Sequence, residues 1–318
     1  MKKDFISISD YKREEIEDLL NLAARMKENS DVTSGAMHGK TAALIFEKQS
    51  LRTRMSFEVG VLQLGGHSVF LSQDNIGLAT RESVRDIAEV LSRYNDIIVA
   101  RTMRHATVVE LAAHATIPVI NALTDVSHPC QILADALTLS ERGLLSERTK
   151  ITFVGDGNNV VNSWLELAEK IPFHFVVACP QGYEPDAEIL RRARAAGVSR
   201  IDVTHDARVG VADADVVYTD VWVSMGQEAE RAARQMAFRG FQIDEPLMHL
   251  ARKECVVMHC LPAHRGEEIT AAVLDGPRSI VLEQAENRLH AQKAIMAHVL
   301  GVRGELNEQM VFQESYST

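Results

Sequence analysis

Cysteine is scarce in this chain of 318 residues: only Cys130, Cys179, Cys255 and Cys260 occur, and no two form a CxxC pair. That excludes a disulfide scaffold and a zinc ribbon, and predicts reduced thiols in a reducing compartment. No run of 18 apolar residues exists, and the opening MKKDFISISDYKREEIEDLL has no apolar stretch of signal-peptide length. A soluble, cytoplasmic protein with no membrane partner is expected. Positive charge is also short, with 34 Lys and Arg against 44 Asp and Glu and a net charge of -10. A general attraction to nucleic acid is therefore excluded, and any basic site must be local. Sequence repeats, low-complexity tracts and long linkers are absent as well.

What the chain does contain is alternation. With 46% hydrophobic residues it can fill two ordinary cores. Apolar runs TAALIF, HSVFLS, DIIVAR and IPVINAL alternate with amphipathic segments such as SVRDIAEVLSRY, where Val84, Ile87, Val90 and Leu91 recur at helical spacing. After the helical stretch from SHPCQ the alternation restarts with KITFVGDG, FHFVVACP, RIDVTHD, DVVYTD and ECVVMHC. This pattern predicts an α/β fold of two similar doubly wound domains, each with a central parallel sheet, joined by helices. The boundaries fall at 1–148 and 149–283, with a C-terminal helix, 284–318, packing back.

The basic residues gather where an apolar run gives way to a helix, in FEKQSLRTRMSFE. Ser50 suits an N-cap, Arg52 and Arg54 offer planar donor forks, and Thr53 adds a hydroxyl, a combination suited to phosphate. The alternative is surface ion pairing with Glu47 and Glu58, and helical geometry lets only one of the two arginines face a ligand fully. In TDVSHPCQILAD, His128 and Gln131 flank a strand-to-helix turn at the sheet's carboxyl edge, and Cys130 reads as a buried small residue. FVGDGNNVVNSW resembles a dinucleotide turn only superficially, because the third glycine and the later ribose-binding acid are missing. Asn158 and Asn159 offer amides there instead. Asp220 closes the run in YTDVWVSMGQE, and Ser224 and Met225 belong to the loop after it. In VVMHCLPAHRGEEI, Pro262 is expected to hold Leu261 extended and turn its carbonyl toward a ligand. Alternation along a strand sets His259 and Cys260 on opposite faces, so no metal site is expected.

In this order and spacing FEKQSLRTR, HPCQ, DGNN, DVWVSMG and HCLPAHRGEE resemble the aspartate and ornithine carbamoyltransferase family, nearest to its ornithine branch, over essentially the whole chain. The resemblance implies a carbamoyl phosphate domain followed by an amino acid domain, in a homotrimer or a multiple of it with shared active sites. It places the phosphate on Ser50, the Leu51 backbone, Arg52, Thr53 and Arg101. His128, Gln131 and Arg288 would hold the carbamoyl group, with Cys260 and Leu261 lining the same space, and Asn159, Asp220, Ser224 and Met225 would meet L-ornithine. The implied reaction moves the carbamoyl group to the ornithine side-chain amine, giving citrulline and phosphate in arginine metabolism, with no metal or organic cofactor. Arg101, His128, Asp220 and Cys260 carry the implied chemistry. Asp220 and Cys260 would face each other across the interdomain cleft, with Cys260 either accepting a proton as thiolate or positioning substrate. Relatives acting on N-acylated ornithine, putrescine or another amine remain alternatives, as does a non-catalytic paralogue, although that would be expected to lack Arg52, His128 or Cys260. Two positions depart from the family pattern. Leu51 stands where a Thr is usual, and Gly77 where ornithine enzymes often present a cross-subunit Gln, with Thr80 or Arg81 as replacements.

Overall fold

Four apolar runs form the first sheet: β1 (Thr41–Phe46), β2 (His67–Ser72), β3 (Ile97–Arg101) and β4 (Val119–Leu123). They lie in the order β2-β1-β3-β4, and every pair is parallel. The second sheet holds β5 (Lys150–Val154), β6 (His174–Ala178), β7 (Arg200–Thr204), β8 (Val216–Thr219) and β9 (Val256–His259), in the parallel order β7-β6-β5-β8-β9. All nine strands occupy the apolar runs read from the sequence. The computed structural model describes residues 2–29, 32, 35–78, 81–223 and 228–302.

The helices are α1 (Arg13–Glu28), α2 (Leu51–Gln63), α3 (Gln73–Ile76), α4 (Val84–Tyr94), α5 (His105–His114) and α6 (Pro129–Glu141) in the first half. Then come α7 (Asn159–Ala168), α8 (Ala187–Ala196), α9 (Ala207–Val211), α10 (Arg231–Ala237), α11 (Glu245–Met248), α12 (Ala271–Leu274) and α13 (Val281–Val299). In α4 the buried face is Val84, Ile87 and Ala88, while Val90 is exposed. A 3.6-residue turn carries position 90 off the stripe through 84, 87 and 91. The stretch after HPCQ is helical only as far as Glu141, because Gly143 takes a left-handed conformation at φ +67° and turns the chain toward β5.

Helix α13 packs against α6, α1 and α2 and reaches β9. It buries Gln284, Asn287, Arg288, Gln292 and Lys293, polar groups that need partners once removed from water. The expected helix 284–318 is thus seen to Val299, and residues 303–318 lie outside the described residues. At the other end a short turn, Ile8–Asp10, docks on α7, where Ile8 N–H donates to Glu166 at 3.3 Å. The order in which strands are added across the sheet reverses between β1 and β3 in one sheet and between β5 and β8 in the other. At such switch points the carboxyl ends of parallel strands open a crevice for ligands.

Candidate active site

Loops following β1, β3, β4, β5, β8 and β9 line one cavity of about 950 Å³. Helix α2 enters it by its N-terminus, with the Ser50 hydroxyl accepting from Thr53 N–H at 3.3 Å. The preceding N–H groups of α2 have no intrahelical carbonyl and carry the positive end of the helix dipole. Three guanidiniums, Arg52, Arg101 and Arg288, line the same wall. Arg101 Nη1 and Arg288 Nη2 donate to the Thr53 hydroxyl at 3.4 and 3.1 Å, and Arg288 Nη1 donates to Gln131 Oε1 at 2.6 Å. Among the described residues none of the three makes an ion pair. Burial, with the charges of Arg288 and Arg52, lowers Arg101 to about 10. Three unneutralised cations beside a helix N-terminus call for a multiply charged anion.

His128 precedes Pro129 at the start of α6, where its backbone N–H donates to the Ser163 hydroxyl at 2.8 Å. Burial, and then the charges of Arg288 and Arg101, holds its imidazole well below the ordinary histidine range, so the ring is neutral near pH 7. A neutral ring beside three cations can donate one hydrogen bond without adding a fourth charge.

In the same cavity Asp220 follows β8 and Cys260 follows β9, on adjacent strands. The Cys260 thiol donates to Asp220 Oδ1 at 3.0 Å, Asn158 Nδ2 donates to Oδ2 at 2.9 Å, and Val221 N–H donates to Oδ1 at 2.8 Å. The two side chains are therefore neighbours on one wall, correcting the expectation that they face each other across the cleft. Desolvation, then the charge of Asp220, pushes the Cys260 thiol well above its usual value. It is a thiol and a hydrogen-bond donor, not the thiolate that the sequence left open.

Two family models match in tandem: the aspartate/ornithine carbamoyltransferase carbamoyl-P binding domain over residues 3–141 and the Asp/Orn binding domain of the same family over 147–299. The chain belongs to the aspartate/ornithine carbamoyltransferase family. The chloroplastic ornithine carbamoyltransferase of Pisum sativum is 53% identical over 302 residues, spanning 94% of this chain and 80% of that protein. That of Chlorobaculum tepidum is 52% identical over 305 residues, spanning 94% and 90%. Among solved structures, the ornithine carbamoyltransferase of Pyrococcus furiosus superposes with a TM-score of 0.90 at 46% identity, covering 94% of this chain and 97% of that one. An acetylornithine transcarbamylase complexed with acetylcitrulline reaches 0.83 at 33% identity, covering 93% and 99%.

As a carbamoyltransferase-family chain, it brings Ser50, Leu51, Arg52, Thr53, Arg101, His128, Gln131, Asn159, Asp220, Cys260, Leu261 and Arg288 to this one cavity. Ser224, Met225 and Thr80 lie outside the described residues. Arg54 is not in the site: it pairs with Glu58 at 2.9 Å and lies over the Phe70 ring, the ion-pair alternative raised for these arginines. Leu261 is not extended, having φ +57° ahead of a cis bond to Pro262. Its N–H is turned instead toward His259 Nδ1 at 2.8 Å, and that bond holds the turn. The strand alternation expected to separate His259 from Cys260 stops with β9 at His259, so ligand atoms of Asp220, His259 and Cys260 lie within 4.8 Å of one another. Both His259 nitrogens are engaged, Nδ1 by Leu261 N–H and Nε2 by Glu268 at 3.1 Å. Gly157 in the GDGNN turn serves packing, since a Cβ there would lie 2.3 Å from Pro185 N.

Sequence reasoning missed several residues. Arg234 on α10 is buried, with Nη1 donating to Asp156 Oδ2 at 2.8 Å and to the Trp222 carbonyl at 3.1 Å, while Nε meets Glu230 at 2.9 Å. Asp156 lines the cavity, and burial raises its carboxyl even though Arg234 opposes the shift. Asp135, Tyr218 and Gln284 form a second buried cluster behind Gln131. Of these, only Asp156 carried a local signal, its place between two glycines after β5.

Proposed function

We propose that this chain is an ornithine carbamoyltransferase, moving the carbamoyl group of carbamoyl phosphate to the side-chain amine of L-ornithine and releasing L-citrulline and phosphate. The observation that carries the reading is the cavity itself: three guanidiniums that make no ion pair among the described residues and a helix N-terminus share it with the hydrogen-bonded carboxylate of Asp220. The cations suit a phosphate dianion and the carboxylate an ammonium.

In this reading the phosphate sits on Ser50, the Leu51 N–H, Arg52, Thr53 and Arg101. The carbamoyl oxygen meets Thr53, Arg101 and the neutral His128, while the carbamoyl NH2 donates to Gln131 Oε1 and to the Leu261 carbonyl. Arg288, bonded to both Gln131 and Thr53, holds these two side chains in place. Asp220 anchors the amine, Cys260 steadies Asp220 by donating to it, and Asn159, Ser224 and Met225 meet the amino acid end.

An amine like that of lysine has a pKa near 10.4, so at pH 7 only roughly 0.04% is neutral. The ornithine ammonium first gives up one proton to solvent, and the neutral amine nitrogen attacks the carbamoyl carbon. The new C–N bond forms as the C=O electrons move onto oxygen, giving a tetrahedral oxyanion; its collapse breaks the C–O bond to phosphate, and the departing phosphate takes up one of the two protons still on the nitrogen, leaving the other as the N–H of citrulline. Arg101, His128 and Thr53 stabilise the oxyanion, since donors fixed in place need little reorganisation. Arg52 and the α2 N-terminus take up the charge on the leaving phosphate.

The same reading assigns residues 1–148 to carbamoyl phosphate and 149–283 to ornithine, with 284–318 packing back on the first part. It places the chain in arginine biosynthesis in the cytoplasm, as a homotrimer or a multiple of it. No helix of the described residues is long and apolar enough to cross a membrane. An amine panel with carbamoyl phosphate tests the activity: ornithine should be used well above N-acetylornithine and putrescine, and a chain inactive with ornithine would refute it. Sedimentation tests the assembly, and a fully active monomer would contradict the trimer.

A further inference from the structure

A glutamine in a binding site has two faces, an accepting oxygen and a donating NH2, and rotation by 180° exchanges them at almost no change in shape. For Gln131 this choice decides chemistry. A carbamoyl group differs from an acetyl group in carrying an NH2 donor where the other has a methyl, so only a glutamine showing its oxygen rewards the carbamoyl ligand.

Asp135 lies one turn further along α6, fully buried. Its Oδ1 accepts from Gln131 Nε2 at 2.8 Å and from Gln284 Nε2 at 2.8 Å, and its Oδ2 accepts from the Tyr218 hydroxyl at 2.9 Å. An ionised carboxylate only accepts, which forces the NH2 of Gln131 toward it and leaves Oε1 at the cavity wall, where Arg288 Nη1 meets it at 2.6 Å. Gln284 is oriented in turn, because its Oε1 accepts from His259 N–H at 2.9 Å. A continuous path of hydrogen bonds thus runs from the end of β9, beside Cys260, through Gln284 and Asp135 to Gln131 and Arg288.

We propose that Asp135 is a positioning residue that locks the Gln131 amide with its oxygen toward the ligand, and so selects carbamoyl over acetyl phosphate. The inference rests on the reading of the cavity as a carbamoyl phosphate site. Packing alone does not call for a carboxylate here. Burial raises Asp135 to about 6 in spite of its three donors and the nearby charge of Arg288, so keeping it ionised is costly. A neutral side chain of the same shape would fill the space at less cost.

The test is titration calorimetry of the full-length protein with carbamoyl phosphate, acetyl phosphate and inorganic phosphate. Asp135→Leu keeps the number and branching of heavy atoms, at a larger volume, and removes every acceptor, while Asp135→Asn keeps one oxygen for Gln131. The wild type should prefer carbamoyl over acetyl phosphate; Asp135→Leu should cut that preference roughly tenfold, with inorganic phosphate changed by less than about threefold. Asp135→Asn should retain most of the preference. An undiminished preference in Asp135→Leu, or equal weakening for all three ligands, overturns the proposal and leaves the site reading intact. Should Asp135→Leu not fold, Gln131→Glu and the isosteric double change Gln131→Glu with Asp135→Asn decide. The single change sets two carboxylates together and should weaken carbamoyl phosphate roughly 100-fold, and the double should recover roughly tenfold. No recovery overturns the proposal. A wild type that does not distinguish the two acyl phosphates overturns the site reading and this inference together.

Discussion

The Cys260 thiol donates to Asp220 Oδ1 across 3.0 Å, from the end of one strand to the end of the next. Because Asp220 is the acceptor, the thiol serves the carboxylate and is not a base in waiting. Serine donates in the same way. Cys260→Ser should therefore keep the wild-type pH dependence of turnover and lose no more than about tenfold in rate, the worth of one imperfect hydrogen bond. An alkaline displacement of the pH–rate profile would instead mark Cys260 as a proton acceptor.

Asp220→Asn keeps the shape, replaces one of two accepting oxygens by a donor, and removes the charge that pairs with an ammonium. The expected result is a rise in the ornithine KM together with a fall in kcat, about 100-fold or more in kcat/KM. Carbamoyl phosphate affinity, measured by calorimetry without ornithine, should change little because its ligands come mainly from the first domain.

Arg52 lines the cavity next to the α2 N-terminus. Removing its fork by Arg52→Ala should weaken carbamoyl phosphate and lower turnover together, roughly 10- to 100-fold in kcat/KM, since the same contact acts in ground and transition states. Steady-state kinetics with wild-type constants would take Arg52 out of the site.

Arg234 and Asp156 form a pair in which both side chains are about nine-tenths buried, 8% and 11% exposed. Arg234→Ala leaves a buried carboxylate without its cation, a change worth about 3 kcal/mol of stability. Chemical denaturation should register that loss. Adding Asp156→Asn should restore part of it, because the orphaned charge is then gone.

Glu166 gives a pH signature far from the chemistry. Burial raises it to about 7 although Ser7 and the Ile8 N–H bond to it, whereas an unfolded glutamate titrates near 4.3. Between those values the folded state holds the extra proton, so this group's contribution to stability falls as pH rises from about 4.3 to 7 and stays low above. Glu166→Gln removes the dependence. The stability of the variant relative to wild type should grow across that interval, by roughly 4 kcal/mol at most, and be flat above it. Melting curves at pH 5 and pH 8 suffice to check it.

Local chemistry was legible in the chain. Strands such as TAALIF and KITFV were readable because a parallel strand buried on both faces is a continuous apolar run. The Ser50 cap and the Pro129 helix start were readable because each acts on backbone within three residues of itself. The motifs therefore pointed, without coordinates, to residues that line one cavity at the carboxyl edges of the two sheets, Ser50, Arg52, Arg101, His128, Asp220 and Cys260 among them.

The tertiary structure decided how those residues are poised. Whether Asp220 and Cys260 oppose or adjoin depends on β8 and β9 being neighbours, a pairing no local pattern encodes. Whether Cys260 keeps its proton depends first on its burial and then on the carboxylate that this pairing brings to it. Asp135 and Gln284, 149 positions apart, meet only because α13 returns to α6, and Arg234 finds Asp156 78 positions away. Ionisation and amide orientation are set by charges and acceptors within a few ångströms, and in this fold those neighbours come from distant parts of the chain.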